Sequence, residues 1–155
     1  MISVVIRCKN EVESLAKLVS FYENQSYKEY ELIVVDNDSA DNTESFCKEK
    51  NLKIVKINAK DFSHARSCNL GLKNANYDLV YFTNAHSFPI HENILQKISD
   101  VMDSDLKVAG LFGRCYVYQD SGKVNFIEKV YGGLDELYWS KNYKVVKVEV
   151  VKITC

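Results

Sequence analysis

The sequence of 155 residues contains no long hydrophobic run. Its longest apolar stretches, such as ISVVI near the start, are far too short to span a bilayer or to form the hydrophobic part of a signal peptide. A strong charge of either sign is also missing: the net charge is −1, which gives no basic field to attract nucleic acid or anionic lipid. We therefore predict a cytoplasmic protein that does not bind nucleic acid, of a length that suits one domain.

Cysteine pairs of the kind that build disulfide frameworks or zinc sites are absent. The chain has five cysteines, an odd number, scattered without any CxxC spacing. They are Cys8, Cys47, Cys68, Cys115 and Cys155. Free thiols in a reducing cytosol fit this pattern best, because structural disulfides belong mainly to oxidising compartments.

Glycine-rich phosphate-binding loops are missing as well. The turn CKNEVE, which follows the first apolar run, has no glycine that would let the backbone approach a pyrophosphate closely, and no P-loop motif occurs. These absences argue against a dinucleotide-binding Rossmann site, even though Asp36 lies about where the ribose-binding acid of such a site would be. If a nucleotide binds, its phosphates must be neutralised in another way, most simply by a divalent metal.

What the sequence does contain is an alternation of strand and helix patterns. Short runs rich in β-branched residues are followed, four times, by segments with apolar residues at helical spacing. The predicted strands are 2–7, 30–36, 52–57, 78–83 and 106–118, and the predicted helices are 11–24, 39–50, 62–75 and 91–102. This order predicts a layered α/β domain with a mostly parallel sheet, because parallel strands need helical crossovers.

The helical patterns also predict buried faces and caps. The predicted faces are Val12, Leu15, Ala16, Val19 and Tyr22 in the first helix; Ala65, Cys68, Leu72 and Ala75 in the third; and Ile94, Ile98, Val101 and Met102 in the fourth. Ser63 is a candidate N-cap of the third helix. Asp41, followed three residues later by Glu44, predicts a capping box at the second.

The pattern changes after Tyr118. QDSGK predicts a turn, VNFIEKV a strand, GGLDELYWSK a short helix and YKVVKVEVVKI a closing strand. No linker, repeat or low-complexity segment separates these elements from the rest. We therefore predict a single domain over 1–155.

Polar side chains collect where the predicted strands end. The first strand is followed by RCKNE, the second by DNDSADNT and the fourth by NAHS. In open α/β sheets ligands bind outside the carboxyl ends of the strands. Turn and cap chemistry explains Asp41 and Thr43, since such residues favour those positions. Asp36 is different, because it ends its strand where a turn does not require it, and we predict that it points into the crevice.

Five segments resemble, in order and spacing, the motifs of family 2 glycosyltransferases of the GT-A fold. They are SVVIRCKNE, ELIVVDNDSADNT, FSHARSCNLGLKNA, VYFTNAHSFP and VAGLFGR. The subgroup they most resemble is the bacterial sugar transferases of polysaccharide, capsule or O-antigen assembly. The resemblance implies a GT-A-like, three-layer α/β/α domain with a mostly parallel central sheet. Its nucleotide-sugar-binding part would be 1–118, and 119–155 would be a shortened acceptor-side part.

The resemblance implies donor-binding roles for the residues that match its motifs. Asp36 would hydrogen-bond the nucleobase. Three residues at the end of the first strand would flank the base and ribose, and Arg66 on the third helix would approach the base or the phosphates with the support of a neighbour. In chain order the implied nucleotide-sugar-binding residues are Arg7, Lys9, Asn10, Asp36, Asp38, Arg66, Asn69 and Asn84.

Asn84 and His86 fall in the frame of the family's D-x-D motif, whose carboxylates hold ribose and metal. Mg²⁺ prefers oxygen ligands, whereas Mn²⁺ readily accepts a neutral imidazole. The resemblance therefore implies a divalent metal, Mn²⁺ or Mg²⁺, with His86 as a ligand. Two alternatives stay open: His86 donates to the diphosphate without a metal, or it only caps its strand. His64 and His91 are predicted to be surface residues.

The acceptor side departs most from the family pattern. GLDELYWSK resembles a later helix of the family and places Asp135 or Glu136 as the base that deprotonates the acceptor hydroxyl. An ordinary amphipathic helix with solvated acids is the alternative interpretation. The acceptor implied by the resemblance is a glycan or a lipid-linked sugar, which would allow peripheral association with a membrane.

Three functions remain after these steps. The first is an inverting glycosyltransferase of cell-surface polysaccharide biosynthesis, in which an activated hydroxyl attacks the anomeric carbon of a nucleotide-sugar. The second is a truncated or catalytically inactive domain that binds the donor without transferring sugar. The third, a nucleotidyltransferase, is weaker because it would need a first loop rich in glycine and basic residues.

Overall fold

The structure, a computed structural model, describes residues 1–89, 91–104, 108–111 and 150–152. Strands and helices alternate through most of this part of the chain. In order they are β1 (Ile2–Cys8), α1 (Val12–Glu23), β2 (Tyr30–Asp36), α2 (Thr43–Glu49), β3 (Lys53–Lys56), a one-turn 3-10 helix (Ala59–Asp61), α3 (His64–Lys73), β4 (Leu79–Asn84), α4 (Ile94–Ser104), β5 (Gly110–Leu111) and β6 (Val150–Lys152). The predicted alternation of strand and helix is confirmed.

The strands form one sheet, and the described residues contribute six of them in the order β3-β2-β1-β4-β6-β5. Pairing is parallel from β3 to β4, while β6 runs antiparallel to both β4 and β5. The mostly parallel sheet is therefore as predicted. Strand order reverses at β1: the chain moves to β2 and β3 on one side and returns to β4 on the other. The crevice beyond this reversal is where such sheets bind ligands.

Each face of the sheet carries its own core, as the side-chain alternation of β1 shows. Val4 and Ile6 pack with α1, α2 and α4 on one face, which we call the α1 face. Val5 packs against residues of α3 on the opposite face, which we call the α3 face. Because both faces of β1 are buried, all of its residues except Ser3 and Arg7 are apolar.

The predicted faces of α1 and α4 are confirmed in part. α1 buries Leu15, Leu18, Val19 and Tyr22, and α4 buries Leu95, Ile98 and Met102. Four of the predicted positions are only partly buried: Val12 and Ala16 of α1, and Ile94 and Val101 of α4. No helix in the described segments is both long and apolar enough to cross a membrane.

The predicted face of α3 is confirmed only in part, because Leu72 and Ala75 pack against the core but the most buried positions are others. The helix buries Ser67 and Gly71, whereas Ala65 is exposed and Cys68 only partly buried. The reason is close backbone packing, because a Cβ added at Gly71 would lie 2.2 Å from Cγ1 of Val5. The helix therefore approaches the sheet through its smallest residues, and its larger apolar side chains lie around that contact.

The two predicted helix caps have different outcomes. Ser63 caps α3, since its Oγ accepts a hydrogen bond from the backbone N–H of Arg66 at 3.1 Å. The capping box predicted from Asp41 and Glu44 is wrong: α2 starts at Thr43, and Glu44 forms ion pairs instead. These pairs are with Lys48 and Lys56. Of the predicted strand 106–118, only 110–111 is described as a strand, and the elements predicted between 119 and 142 lie outside the described residues.

Candidate functional site

The carboxyl ends of β1, β2 and β4 lie side by side, and they bring several predicted site residues together. In the parallel registers, Cys8 is paired with Asp36 and Arg7 with Asn84. Alternation along the strands places Arg7 and Asn84 on the α3 face, and Asp36 on the α1 face. The site is therefore a row of polar groups that crosses the edge of the sheet.

Two loops at this edge are tied together by Asn10. Its backbone N–H donates to Oγ of Ser39 at 2.9 Å, and its side-chain Oδ1 accepts from the backbone N–H of Ala40 at 2.7 Å. Asn10 and Asp38 both have positive φ, 53° and 55°, a conformation that Asn and Asp adopt more readily than most residues. Asn10 thus holds the loop after β1 against the loop after β2.

Asp41 reinforces the same junction. Its carboxylate accepts hydrogen bonds from the backbone N–H of Val12, at 3.0 Å, and from the backbone and hydroxyl of Thr43. Burial raises the pKa of Asp41, but the hydrogen bonds from Thr43 and Val12 outweigh burial, so the net shift is downward. The turn role predicted for Asp41 is confirmed.

Asp41→Asn should weaken the fold in a pH-dependent way. A carboxyl whose pKa is lowered by folding contributes stability that is complete above its unfolded pKa, about 3.9, and is lost as the pH falls through the lower folded value. We expect a loss of about 1 kcal/mol in the free energy of unfolding at pH 7, because hydrogen bonds to a charged group are strong but this group is partly exposed. Urea unfolding should show the gap between variant and wild type closing as the pH falls below about 4. Exposed Asp78→Asn is the control, and a gap independent of pH would contradict the assignment.

Asp36 is the most deeply buried ionisable residue at the strand ends. Its side chain is 2% exposed, and its Oδ1 has no hydrogen-bond partner among the described residues. The neighbouring Asn37 also has a buried Oδ1 that lacks a partner there. Buried polar atoms are normally satisfied, because an unmade hydrogen bond is costly. Asp36 therefore has a buried acceptor oxygen without a partner in the described part of the chain, at the edge where open α/β sheets bind ligands.

Arg7 bridges the point where strand order reverses. Its Nη2 donates to Oδ1 of Asn84 at 2.5 Å, and its Nη1 donates to Nδ1 of His64 at 2.6 Å. Its Nε is buried without a partner, and no carboxylate of the described residues forms an ion pair with it. The guanidinium is therefore a half-buried positive charge whose partners are neutral acceptors.

His86 pairs with Glu11 across the same edge. Nδ1 of His86 lies 2.7 Å from Oε1 of Glu11, which directly precedes α1. A carboxylate only accepts, so Nδ1 of His86 carries the proton and its Nε2 is left for other partners. Arg7 only donates, so His64 has the opposite arrangement, with a bare Nδ1 and a proton on Nε2. The two histidines thus present different chemistry at one edge.

Sequence reasoning missed two members of this cluster. His64 is exposed, as predicted, but it also contacts Arg7. Glu11 lies inside the motif RCKNE, and its position next to a predicted helix start was the available signal. The contact between Glu11 and His86 spans 75 residues, so it becomes visible only in the folded chain.

The remaining predicted residues are exposed or lie outside the described chain. Lys9, Asp38 and Asn69 are exposed. Nη1 of Arg66 is 4.0 Å from Oδ1 of Asp61. Asp135 and Glu136 lie outside the described residues, so their catalytic role remains a prediction.

Comparison with known proteins decides the family. The model of the family described as glycosyl transferase family 2 matches residues 3–149. The chain belongs to this family. It is also 29% identical over 122 residues to the Methanococcus voltae dolichyl N-acetyl-alpha-D-glucosaminyl phosphate 3-beta-D-2,3-diacetamido-2,3-dideoxy-beta-D-glucuronosyltransferase. That alignment covers 72% of this chain and 38% of the relative, so the chain spans well under half of its length.

Solved glycosyltransferases share the fold of this family 2 chain. S. aureus TarS 1-349 in complex with UDP-GlcNAc has a TM-score of 0.64 and 20% identity, covering 80% of this chain and 37% of TarS. The mannosyltransferase PcManGT from Pyrobaculum calidifontis, in complex with GDP-Man and Mn²⁺, has a TM-score of 0.62 and 20% identity, covering 77% of this chain and 36% of PcManGT. The predicted GT-A fold is therefore confirmed.

Of the two residues in the D-x-D frame, His86 rather than Asn84 has an atom available to bind a divalent cation. Oδ1 of Asn84 already accepts from a guanidinium, and a second cation beside it would be repelled. His86 donates its Nδ1–H to Glu11, the arrangement that orients a histidine to bind metal through Nε2. The described residues contain no group of three or more His, Cys, Asp or Glu side chains that could hold a metal ion. A cation at His86 would thus need further oxygen ligands from the bound diphosphate or water.

Proposed function

We propose that this chain carries the donor-binding part of a glycosyltransferase that moves a sugar from a nucleotide-sugar to a hydroxyl acceptor. The observation that carries the proposal is the buried Asp36 carboxylate, which has an oxygen without a hydrogen-bond partner among the described residues, at the carboxyl edge of a family 2 glycosyltransferase sheet. The complexes of TarS with UDP-GlcNAc and of PcManGT with GDP-Man support a nucleotide-sugar as the ligand.

Each end of the polar row suits a different part of such a donor. Uracil, thymine and guanine all carry ring N–H groups, which an acceptor such as Asp36 can bind. The diphosphate is anionic, so it belongs near the basic and imidazole groups at the other end of the row. We propose that 1–118 forms this donor site, with Asn10 fixing the two loops that frame it.

A divalent cation, Mn²⁺ or Mg²⁺, is proposed to join the donor at His86. When bound, it would supply positive charge that stabilises the departing nucleoside diphosphate. In the neutral imidazole, Glu11 accepts the Nδ1–H of His86, so Nε2 is the nitrogen left to bind the cation. Mn²⁺ is favoured over Mg²⁺ at this position because one donor is an imidazole nitrogen.

The acceptor side of the proposal rests on the sequence alone. Asp135 or Glu136 would take the proton from the acceptor hydroxyl, which then attacks the anomeric carbon in line and inverts its configuration. The name of the Methanococcus voltae relative indicates a lipid-linked sugar, so we propose a glycan or lipid-linked acceptor and peripheral contact with a membrane. A cytoplasmic location is proposed because Cys8, Cys47 and Cys68 are free thiols.

A second candidate function is donor binding without transfer. It needs only the donor side, which the described residues form, whereas the proposed bases Asp135 and Glu136 lie outside them. In that case the polar row at the strand ends would bind a nucleotide-sugar, but no residue of this chain would activate an acceptor. The proposed function and this alternative share the donor site and differ only in chemistry.

A donor panel tests both candidates. The chain is mixed with UDP-, GDP- and dTDP-sugars, with Mn²⁺ or with chelator, and thermal unfolding and release of nucleoside diphosphate are followed. We expect one nucleobase class to raise the melting temperature, because a ligand that binds only the native state stabilises it by mass action. Release of nucleoside diphosphate that is lost in Asp135→Asn would support transferase chemistry. Binding without any release would support the second candidate, and no binding under any condition would contradict both.

A further inference from the structure

Arg7 is a charged residue in an unusual place. The other six residues of its seven-residue strand are buried, and Arg7 itself is half-buried at the carboxyl edge. Its two hydrogen-bond partners, Asn84 and His64, are both neutral, because a donor to Nδ1 of an imidazole requires that nitrogen to be unprotonated. The positive charge is therefore left uncompensated within the described chain.

The surroundings of Arg7 hold it in one orientation. Asn84 fixes one terminal nitrogen from β4, and His64 fixes the other from the first residue of α3. The ring of Phe62 packs edge-on against His64 with 5.4 Å between centroids, so the imidazole is supported as well. A guanidinium has five N–H donors, and these two contacts use only two of them. The remaining N–H groups and the charge are thus pre-oriented for an anion.

We infer that Arg7, held between His64 and Asn84, binds the diphosphate of the donor and gives nucleotide binding a component that needs no metal. This inference rests on the proposed function, since it assigns part of the same site. It departs from the role beside the base and ribose that the family resemblance implies for Arg7. The geometry favours the diphosphate because Arg7 lies on the opposite face of the sheet from Asp36 and bridges β1 and β4, where the strand order reverses.

His64 takes part as a second donor. Because its Nδ1 accepts from Arg7, the proton of the neutral imidazole is on Nε2, and this N–H can donate to a phosphate oxygen. Asn84 keeps the site positive, since an amide accepts from Arg7 without cancelling its charge. A carboxylate at position 84, which is what the D-x-D frame normally holds, would instead form an ion pair with Arg7 and remove that charge.

Calorimetric titration of UDP and GDP in the presence of chelator is the direct test. We expect the wild type to bind whichever nucleotide matches its base site, and Arg7→Gln to reduce that affinity roughly tenfold or more, as for loss of a charge-assisted hydrogen bond. The affinity for the nucleoside without phosphates, measured by NMR titration, should not change. Lys17→Gln, which removes an exposed positive charge from α1, is the matched control.

Asn84→Asp keeps the test decisive even if Arg7→Gln fails to fold. It replaces the side-chain amide by a carboxylate of nearly the same size and shape. In chelator its affinity for the nucleoside diphosphate should fall by roughly tenfold, and Mn²⁺ should restore more affinity than it adds to the wild type. His64→Ala should give a smaller loss, because Arg7 keeps its charge but loses one support.

The outcomes separate the inference from the proposed function. If the wild type binds no nucleotide with or without Mn²⁺, the proposed function itself is wrong. If binding occurs only with Mn²⁺, or if Arg7→Gln and Asn84→Asp bind in chelator as well as the wild type, the inference is overturned while the donor site stands. An equal loss of nucleoside and nucleoside diphosphate affinity in Arg7→Gln would place Arg7 at the base and would also overturn it.

Discussion

Asp36→Asn should make the free protein more stable and the nucleotide complex weaker. In the free protein the buried carboxylate has an oxygen without a partner, and burial of an unsatisfied charge costs more than burial of an amide. In the complex the same oxygen is proposed to accept a hydrogen bond from the nucleobase. Asp36→Asn should therefore raise the free energy of unfolding and lower the affinity for nucleotide, a trade-off between stability and function that is common at functional sites.

The expected loss of nucleotide affinity in Asp36→Asn is larger than the expected gain in stability. We expect the free energy of unfolding to rise by about 1 kcal/mol, a modest gain because the amide is also polar. The nucleotide complex should lose roughly 1.5–3 kcal/mol, about a 10- to 150-fold rise in Kd, as for loss of a hydrogen bond to a charged acceptor. Urea unfolding of the free chain and calorimetric titration of the matching nucleoside diphosphate give the two numbers on the same preparations.

Asp78→Asn provides the matched control, because Asp78 is exposed and precedes β4 at the opposite edge of the sheet. It should change neither quantity. A fall in stability together with unchanged affinity would mean that Asp36 serves the fold and not the ligand. Unchanged affinity with higher stability would remove Asp36 from the site and leave its burial without a functional reason.

The sequence predicted the sheet well because its signals there are local. β2 was predicted at 30–36 and is observed as Tyr30–Asp36. A short run of β-branched residues bounded by polar residues is typical of a strand. The parallel arrangement followed from the alternation with helices. Given parallel strands, the carboxyl ends must share one edge, which is why the meeting of Asp36, Arg7 and Asn84 there was predictable.

Contacts between elements were not predictable in the same way. The proximity of His64 to Arg7 depends on α3 packing on the same face as the odd-numbered residues of β1, which no local pattern reveals. The pairing of Glu11 with His86 depends on the ends of β1 and β4 being neighbours. Each contact decides which ring nitrogen of a histidine carries the proton. The sequence therefore indicated where the site lies, but not which nitrogens of His64 and His86 are protonated.

The buried face of α3 was predicted only in part, for a related physical reason. Amphipathic patterns assume that a helix buries its larger apolar side chains. Here the sheet offers a surface already filled by Val5, so the helix can approach closely only through Ser67 and Gly71. The residue that marks the buried face here is a glycine, which has no side chain, and a pattern of apolar side chains cannot reveal it.

Gly71→Val should be the most destabilising single substitution on α3. Even the first added carbon would lie 2.2 Å from Cγ1 of Val5, a distance that real Cβ atoms do not occupy. Val5 is fully buried in the core of the α3 face and cannot move aside without disturbing the side chains packed around it. We expect a loss of about 3 kcal/mol in the free energy of unfolding, the upper part of the usual range for overpacked cores. Lys73→Ala, exposed on the same helix, should cost little.

Gly71→Ala in combination with Val5→Ala tests whether the clash is the cause. Alone, Gly71→Ala adds a methyl group that collides with Val5, although alanine favours a helix by about 1 kcal/mol over glycine. Alone, Val5→Ala leaves a cavity that we expect to cost about 2 kcal/mol. Together the new methyl group enters the space that Val5 vacates, so the double variant should be more stable than the sum of the single changes predicts, by about 1 kcal/mol or more.

The same set of single and double variants also tests the donor site, because His64 is the first residue of α3. If Gly71→Ala pushes the helix away from the sheet, His64 loses contact with Arg7, and nucleoside diphosphate affinity in chelator should fall in the single variant and recover in the double. Strictly additive stabilities would show that α3 accommodates the methyl group without contacting Val5. Recovery of stability without recovery of affinity would show that His64 and Arg7 are not coupled through the position of this helix.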